Sequence, residues 1–107
     1  MTPITAVREY RPSVDAPENI VALVSQYTDW DTDIILRIIK RESNYHCDSY
    51  NPNPWYGANN ATGAMQILLP LHQRFFEGDP FDCAENIAAG HRMWVEQGYA
   101  PWAPVPW

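Results

Sequence analysis

One stretch of the sequence combines a helical apolar stripe with an acidic side chain. Ile35, Ile38 and Ile39 lie seven, four and three positions before Glu42, and this spacing places all four side chains on one face of a helix. An isoleucine face must be buried, so the stripe predicts a helix that packs in the core. A carboxylate on the same face loses solvation, and we expect its pKa to be raised. A carboxylic acid that is protonated near neutral pH suits general-acid catalysis.

The composition favours one small globular domain. The chain has 107 residues, of which 46% are hydrophobic and 13% aromatic, which is enough for one core and too much for a disordered chain. The net charge of −6 argues against binding to nucleic-acid phosphates and against electrostatic attachment to anionic membranes. No signal peptide or transmembrane segment is visible in the sequence. We expect a monomer that needs no cofactor and does not insert into a membrane.

The caps and breakers of the sequence predict a mainly α domain over residues 15–107, preceded by an extended arm over residues 1–14. Four helices are predicted from N-caps, acidic first turns and a glycine stop: one from Asp15 to about Tyr27, one over 32–43 with Asp31 as its cap, a short one from Pro70 to about Glu77, and one from the Asp82–Glu85 capping box to Gly98. The tail after Gly98 is predicted to be extended, with Trp102 and Trp107 packed against the body.

The opposite face of the second predicted helix is polar. It carries Asp33, Arg37, Lys40 and Arg41. The separation of Asp33 and Arg37 allows an ion pair across one turn of the helix. We expect all four side chains to face solvent.

Residues 44–62 differ from the helices on either side of them. Asparagine, proline and glycine favour turns in this segment, yet it also holds the aromatic residues Tyr45, Tyr50, Trp55 and Tyr56. A loop of this length in a small domain is usually functional or contains a short element such as a β-hairpin.

The chain has two cysteines, Cys47 and Cys83. A disulfide between them would close a long loop and stabilise the fold by roughly 3–4 kcal/mol in the chain-entropy model, and it would indicate an oxidising compartment. The alternative is two buried free thiols. One cysteine pair and three histidines without ligand spacing predict no metal site.

Three short motifs follow one another in the chain. They are Glu42-Ser43, then Gly63-Ala64-Met65-Gln66-Ile67, then Asn86-Ile87 with Gly90 three positions later. Their order resembles the E-S, G-L-M-Q and N-I-x-x-G motifs of the soluble lytic transglycosylases and their goose-type lysozyme relatives, over about residues 32–98. The resemblance implies a small lysozyme-like helical domain, with a long loop or short β-hairpin between the catalytic helix and the G-A-M-Q segment.

The resemblance also implies an activity, which is cleavage of peptidoglycan glycan strands between N-acetylmuramic acid and N-acetylglucosamine. Glu42 would protonate the glycosidic oxygen and then accept the proton of the muramic acid's own 6-hydroxyl, which gives a 1,6-anhydro product. Such a hydroxyl is already positioned, so one carboxyl group can serve both steps, whereas ordinary glycosidases need two carboxylates. The implied location is the cell wall, in a periplasmic, extracellular or phage-associated protein.

Further site residues are implied by the matched motifs and by the aromatic loop. Ser43 would lie near the acid unless it is only a polar helix end, Met65 would line the cleft or fill the core, and Asn86 would support the cleft or be exposed in a first turn. Trp55 and Tyr56 would stack on sugar faces or anchor the loop. The substrate-binding residues implied in this way are Ser43, Met65, Gln66, Asn86, Trp55, Tyr56 and Tyr99.

The chain departs from the family pattern at several positions. Ala64 replaces the family leucine, and the late tyrosine has no clear counterpart, although Tyr99 or Tyr56 could substitute for it. Asp48 is the candidate second carboxylate, either as a turn residue or as a group that would favour hydrolysis. The aspartate of the phage T4-type lysozymes is Asn51 here. The alternatives to transglycosylation are therefore a hydrolytic muramidase and, in another class, an inactive wall-binding module.

Overall fold

The computed structural model describes residues 15–52 and 59–106, which form three α-helices and a small antiparallel sheet. The predicted arm over residues 1–14 and the residues Trp55, Tyr56 and Trp107 lie outside the described residues. The helical elements account for roughly half of the described residues, which is compatible with the predicted mainly α class. The helices are α1 (Glu18–Ser25), α2 (Thr32–Ser43) and α3 (Cys83–Gln97), and the strands are β1 (Tyr50–Pro52), β2 (Asn60–Thr62) and β3 (Ile67–Leu69).

Helix α2 has the predicted bounds and carries the isoleucine stripe into the core. The Asp31 side chain caps the helix by accepting a hydrogen bond from the Ile34 amide at 3.1 Å. At the other end Asn44 adopts a left-handed conformation (φ 50°) and its N–H donates to the Lys40 carbonyl. Ile35, Ile38 and Ile39 are all fully buried. The predicted ion pair on the polar face, between Arg37 and Asp33, is confirmed at 3.2 Å.

Helix α3 is also confirmed, but its capping box forms only one of its two characteristic hydrogen bonds. The Asp82 side chain accepts a hydrogen bond from the Glu85 amide at 3.0 Å, and Gly98 follows the last helical residue. The Glu85 carboxylate does not bind the amide of Asp82, which donates to the Asp79 carbonyl. It instead accepts a hydrogen bond from the Glu77 amide at 2.6 Å and so joins α3 to the segment before it.

The start of α1 and the short third helix need correction. Helix α1 begins at Glu18, with Pro17 in the cap position. The Pro17 carbonyl accepts the Ile20 and Val21 amides, so the proline stands at the boundary and Asp15 lies outside the helix.

The predicted helix from Pro70 to about Glu77 is wrong, because only a short 3₁₀ helix forms, over Gln73–Phe75. Side chains of α3 bind the backbone groups that would extend it. Arg92 donates to the Phe75 carbonyl at 2.5 Å, and Glu85 accepts from the Glu77 amide.

The sheet lies between α2 and α3 in the chain and confirms the expectation of a short β-hairpin in the long loop. Its strands have the order β1-β2-β3 and are antiparallel throughout. Thr62 pairs with Ile67, so the four residues 63–66 form the connection from β2 to β3. We call this connection the Gly63–Gln66 turn. Both of its end residues have positive φ, at 78° and 52°.

The tail after α3 folds back onto the body. It contains a second 3₁₀ helix, Ala100–Trp102, where an extended chain was expected. The Trp102 ring is 4% exposed, which confirms that it packs against the body. In the described part of the chain, no helix is long and apolar enough to span a bilayer.

A disulfide joins Cys47 to Cys83, which settles the choice between a bridge and two thiols. Its Cα atoms are 5.2 Å apart and the two residues are 36 positions apart in the sequence. Cys83 is the first residue of α3, and Cys47 lies in the loop after α2. The bridge therefore attaches the loop that follows Glu42 to the start of α3.

Removal of this bridge is expected to destabilise the protein strongly. The Cys47→Ser/Cys83→Ser variant should lose roughly 3–4 kcal/mol of unfolding free energy, because its unfolded chain is no longer constrained by the closed loop. Urea denaturation with and without a thiol reductant measures the effect. Reductant should lower the midpoint of the wild type and leave that of the variant unchanged. Equal midpoints for the oxidised wild type and the variant would contradict a stabilising bridge.

Candidate functional site

Two adjoining pockets form a groove between the end of α2, the sheet and the tail. The first has a volume of about 190 Å³ and is lined by Glu42, Ala61, Gln66, Leu68, Pro101, Trp102 and Ala103. The second has a volume of about 250 Å³ and shares four of these residues. It continues along Ile67, His72, Met93 and Gln97. We refer to the two pockets together as the groove.

Glu42 lies in the last turn of α2, at one end of the groove. Its side chain is 26% exposed and forms an ion pair with Arg41, whose Nη2 is 2.6 Å from Oε2. Arg41 Nε also donates to Oε2, at 3.1 Å. The carboxylate is therefore less buried than the isoleucine spacing predicted, because it lies at the rim of the isoleucine face, and it has a cationic partner. Within the described residues, Oε1 has no hydrogen-bond partner.

Arg41 also contacts the tail, although it was expected to face solvent. Its Nη2 donates to the Trp102 carbonyl at 2.6 Å, and its Nη1 donates to the Pro104 carbonyl. The guanidinium group thus connects the Glu42 carboxylate to the segment that forms one side of the groove.

The Gly63–Gln66 turn is held by hydrogen bonds from three different elements. From α2, the Ser43 hydroxyl donates to the Ala64 carbonyl at 2.7 Å. From α3, the Asn86 Oδ1 accepts the Met65 amide at 2.8 Å. From the tail, the Trp102 Nε1 donates to the Met65 carbonyl at 3.0 Å. The turn is therefore fixed relative to both helices and to the tail.

Asn86 is fully buried, so the alternative of an exposed first-turn residue is wrong. Its Nδ2 donates to the Thr62 carbonyl at 3.0 Å and to the Pro80 carbonyl at 2.9 Å. Together with the bond from Met65, the side-chain amide satisfies three backbone groups. A Cβ atom at Gly63 would lie 2.1 Å from Asn86 Nδ2, so only glycine permits this approach.

Ser43 and Met65 do not line the groove. They are 7% and 0% exposed, respectively, and their positions serve to hold the turn. Met65 packs against Gly90, where a Cβ atom would lie 2.3 Å from the Met65 sulfur. The close contact explains the glycine of the third motif, since a larger residue on α3 would displace Met65.

Gln66 lines both pockets of the groove. Its Nε2 donates to the Gly63 and Ser49 carbonyls, at 3.0 and 3.3 Å, and its Oε1 accepts from Asn51 Nδ2 at 2.6 Å. A carbonyl oxygen has two acceptor sites, so Oε1 can accept a further hydrogen bond from a ligand. The left-handed backbone of this glutamine is uncommon for a residue with a side chain and is typical of functional turns.

Two candidate residues lie away from the acid. The Tyr99 hydroxyl accepts a hydrogen bond from the Asp31 amide at 3.1 Å. Asp31 caps the opposite end of α2, about 16 Å along the helix from Glu42 at 1.5 Å per residue. Asp48 is exposed and is not among the groove-lining residues. The structure therefore does not bring Tyr99 to Glu42, and it does not place Asp48 in the groove.

The far pocket contains His72, which sequence reasoning did not assign to a site. Burial lowers the pKa of His72, and the neighbouring Arg74 guanidinium acts in the same direction. The imidazole is therefore neutral near pH 7 and offers one donor and one acceptor. Sequence reasoning also missed Leu68, Pro101, Ala103 and Gln97 as groove residues.

Comparison of this chain with models of known protein families, with curated proteins and with solved structures finds no match. Among the described residues, no cluster of three or more histidine, cysteine, aspartate or glutamate side chains could hold a metal ion. Function is therefore inferred from the three motifs and from the groove that Glu42 and Gln66 line.

Proposed function

We propose that this protein cleaves the glycan strands of peptidoglycan by lytic transglycosylation, in a lysozyme-like domain that acts on the cell wall. The observation that carries the proposal is that the three motifs, far apart in the sequence, meet at the Gly63–Gln66 turn beside the groove. Glu42 lines the groove beside Gln66 of the second motif. Asn86 of the third motif and Ser43 of the first bind the Gly63–Gln66 turn.

The number of carboxylates at the groove supports this mechanism. Glu42 is the one carboxylate that lines the groove in residues 15–52 and 59–106, whereas standard glycosidases use two carboxylates about 5–9.5 Å apart. Glu42 can protonate the glycosidic oxygen as the bond to C1 breaks. The 6-hydroxyl oxygen of the same muramic acid then bonds to C1, and its proton passes to Glu42.

The lining of the groove suits an uncharged sugar chain. Leu68 and Pro101 provide apolar surface for the C–H faces of sugar rings. Gln66 Oε1 can accept a hydrogen bond from a hydroxyl or an acetamido N–H. The net charge of −6 is compatible with a ligand that carries few phosphates.

Product analysis tests the proposal directly. Digestion of purified peptidoglycan should release fragments that end in 1,6-anhydromuramic acid, each lighter by one water than a hydrolysed fragment, as measured by mass spectrometry. The Asp48→Asn variant should yield the same products at the same rate, because Asp48 is not at the groove. Reducing ends in place of anhydro ends would instead support the muramidase alternative.

One observation favours the inactive wall-binding alternative. The ion pair with Arg41 gives Glu42 a structural contact with the tail through the guanidinium group, so an acid at this position is not by itself proof of catalysis. Such a module would sediment with insoluble peptidoglycan and release no soluble fragments. Release of fragments by the wild type excludes this alternative.

A further inference from the structure

We propose that Arg41 is a positioning residue that holds one oxygen of Glu42 and presents the other to the substrate. The inference rests on the proposed function and extends it to a residue outside the three motifs. Both bonds from Arg41 to the carboxylate end on Oε2, at 2.6 Å from Nη2 and 3.1 Å from Nε. Oε1 has no partner in the described part of the chain, and Glu42 lines the groove. Oε1 is therefore the oxygen that carries the catalytic proton.

The bonds from Arg41 also orient the carboxylate through several donors at once. A guanidinium group presents its N–H donors in a rigid plane, and here that plane binds the Glu42 carboxylate and the carbonyls of Trp102 and Pro104. The side chain therefore cannot rotate toward the tail without losing its bonds to the acid. A lysine ammonium group has no such fork and would not hold all of these acceptors in one geometry.

The same contact couples the acid to the side of the groove. Pro101, Trp102 and Ala103 line the first pocket, and two carbonyls of this tail segment are bound by Arg41. Arg41 thereby bonds the acid to this side of the groove, which the hydrogen bond from Trp102 Nε1 to the Met65 carbonyl also holds in place. A substrate that contacts the tail is consequently positioned relative to Oε1.

Arg41 also has an electrostatic part in the reaction. When the proton on Oε1 passes to the glycosidic oxygen, the carboxyl group becomes an anion whose charge is shared with Oε2, beside the guanidinium group. When the 6-hydroxyl bonds to C1, its proton returns to Oε1 and the charge disappears. The guanidinium group lies beside this anion and takes no part in the proton transfer.

Kinetics of Arg41 variants test this role, with soluble, un-cross-linked glycan strands as the substrate. Arg41→Met, which keeps an apolar stem, should lower kcat by about 10- to 100-fold, as expected for a misplaced reacting group. KM should change by less than about twofold, since the lost contact is not with the substrate. Arg41→Lys should recover only part of kcat, because lysine restores the positive charge but not the planar set of N–H donors. Lys40→Met removes one charge from the adjacent, exposed position of α2 and is the matched control, with kcat expected to equal that of the wild type.

The melting temperature of Arg41→Met and the activity of Glu42→Gln distinguish the possible outcomes of this experiment. If Arg41→Met retains full kcat while Glu42→Gln is inactive, the positioning role is wrong and the proposed function stands. If Glu42→Gln is as active as the wild type, Glu42 is not the acid and the positioning role of Arg41 is wrong with it. If the wild type itself releases no fragments, the proposed function is wrong. A purely structural role would lower the melting temperature of Arg41→Met and leave kcat unchanged well below that temperature. Should Arg41→Met not fold, full kcat for Arg41→Lys overturns the proposal and a reduced kcat at unchanged KM supports it.

Discussion

Glu42→Gln is expected to lower the rate of peptidoglycan cleavage by about 10²- to 10⁴-fold, the range attributed to a general acid–base group. Glutamine has nearly the same shape, and its carbonyl oxygen can still accept the hydrogen bonds from Arg41. It cannot donate an acidic proton to a leaving group, and it cannot accept one from the 6-hydroxyl. The release of soluble fragments from purified wall, followed over time, measures the effect.

A matched control separates this loss from unfolding. Glu18→Gln makes the same chemical change at an exposed position in the first turn of α1, away from the groove, and should digest wall at the wild-type rate. Both variants should keep the circular dichroism spectrum of the wild type. If Glu42→Gln released fragments as fast as the wild type, Glu42 would not be the acid.

Asn86→Ala should cause the largest loss of stability among single substitutions of polar residues at the site. The change removes three hydrogen bonds to backbone groups, namely to the buried Met65 amide and Thr62 carbonyl and to the half-buried Pro80 carbonyl. An unsatisfied buried polar group costs about 1–3 kcal/mol, so a loss of about 3–5 kcal/mol is expected. Urea denaturation gives the free energy, and the melting temperature should fall by more than about 10 °C.

Two further variants define the cause of this loss. Asn19→Ala removes the same amide from an exposed position on α1 and should change the unfolding free energy by less than about 0.5 kcal/mol. Asn86→Asp keeps an acceptor for Met65 but loses both donors and places an acid beside two carbonyls, so it should be no more stable than Asn86→Ala. An Asn86→Ala protein with the wild-type midpoint would show that these three bonds contribute little.

Local sequence signals were sufficient to predict α2 and α3. Both helices have an aspartate cap whose partner lies three residues later, and α2 has an apolar face with helical spacing. These signals lie within one or two turns, so neighbouring residues determine them. The short helix after Pro70 was predicted wrongly because its termination depends on Arg92 and Glu85, which are distant in the sequence.

The site was predictable where a motif marks it and not where the tail forms it. Glu42 and Gln66 line the groove as the motifs implied, whereas Ser43 and Met65 hold the turn from within the core. Arg41 was assigned to the polar face of α2 because a helical pattern indicates which way a side chain points. It does not identify the hydrogen-bond partners of that side chain. Its acceptors are carbonyls more than sixty residues later, and no side-chain pattern in the tail signals them. The proline- and tryptophan-rich composition of the tail was the available hint that this segment packs against the body.

The Met65 backbone is bound on both sides by elements from different parts of the chain, since its amide bonds to α3 and its carbonyl bonds to the tail. Local fraying does not readily release that amide, because Met65 and its partner Asn86 are both fully buried. Its hydrogen-exchange rate should therefore follow opening of the whole domain. The Met65 amide is thus a natural spectroscopic reporter, and a ligand that occupies the groove should slow its exchange in proportion to the affinity of the ligand for the folded protein.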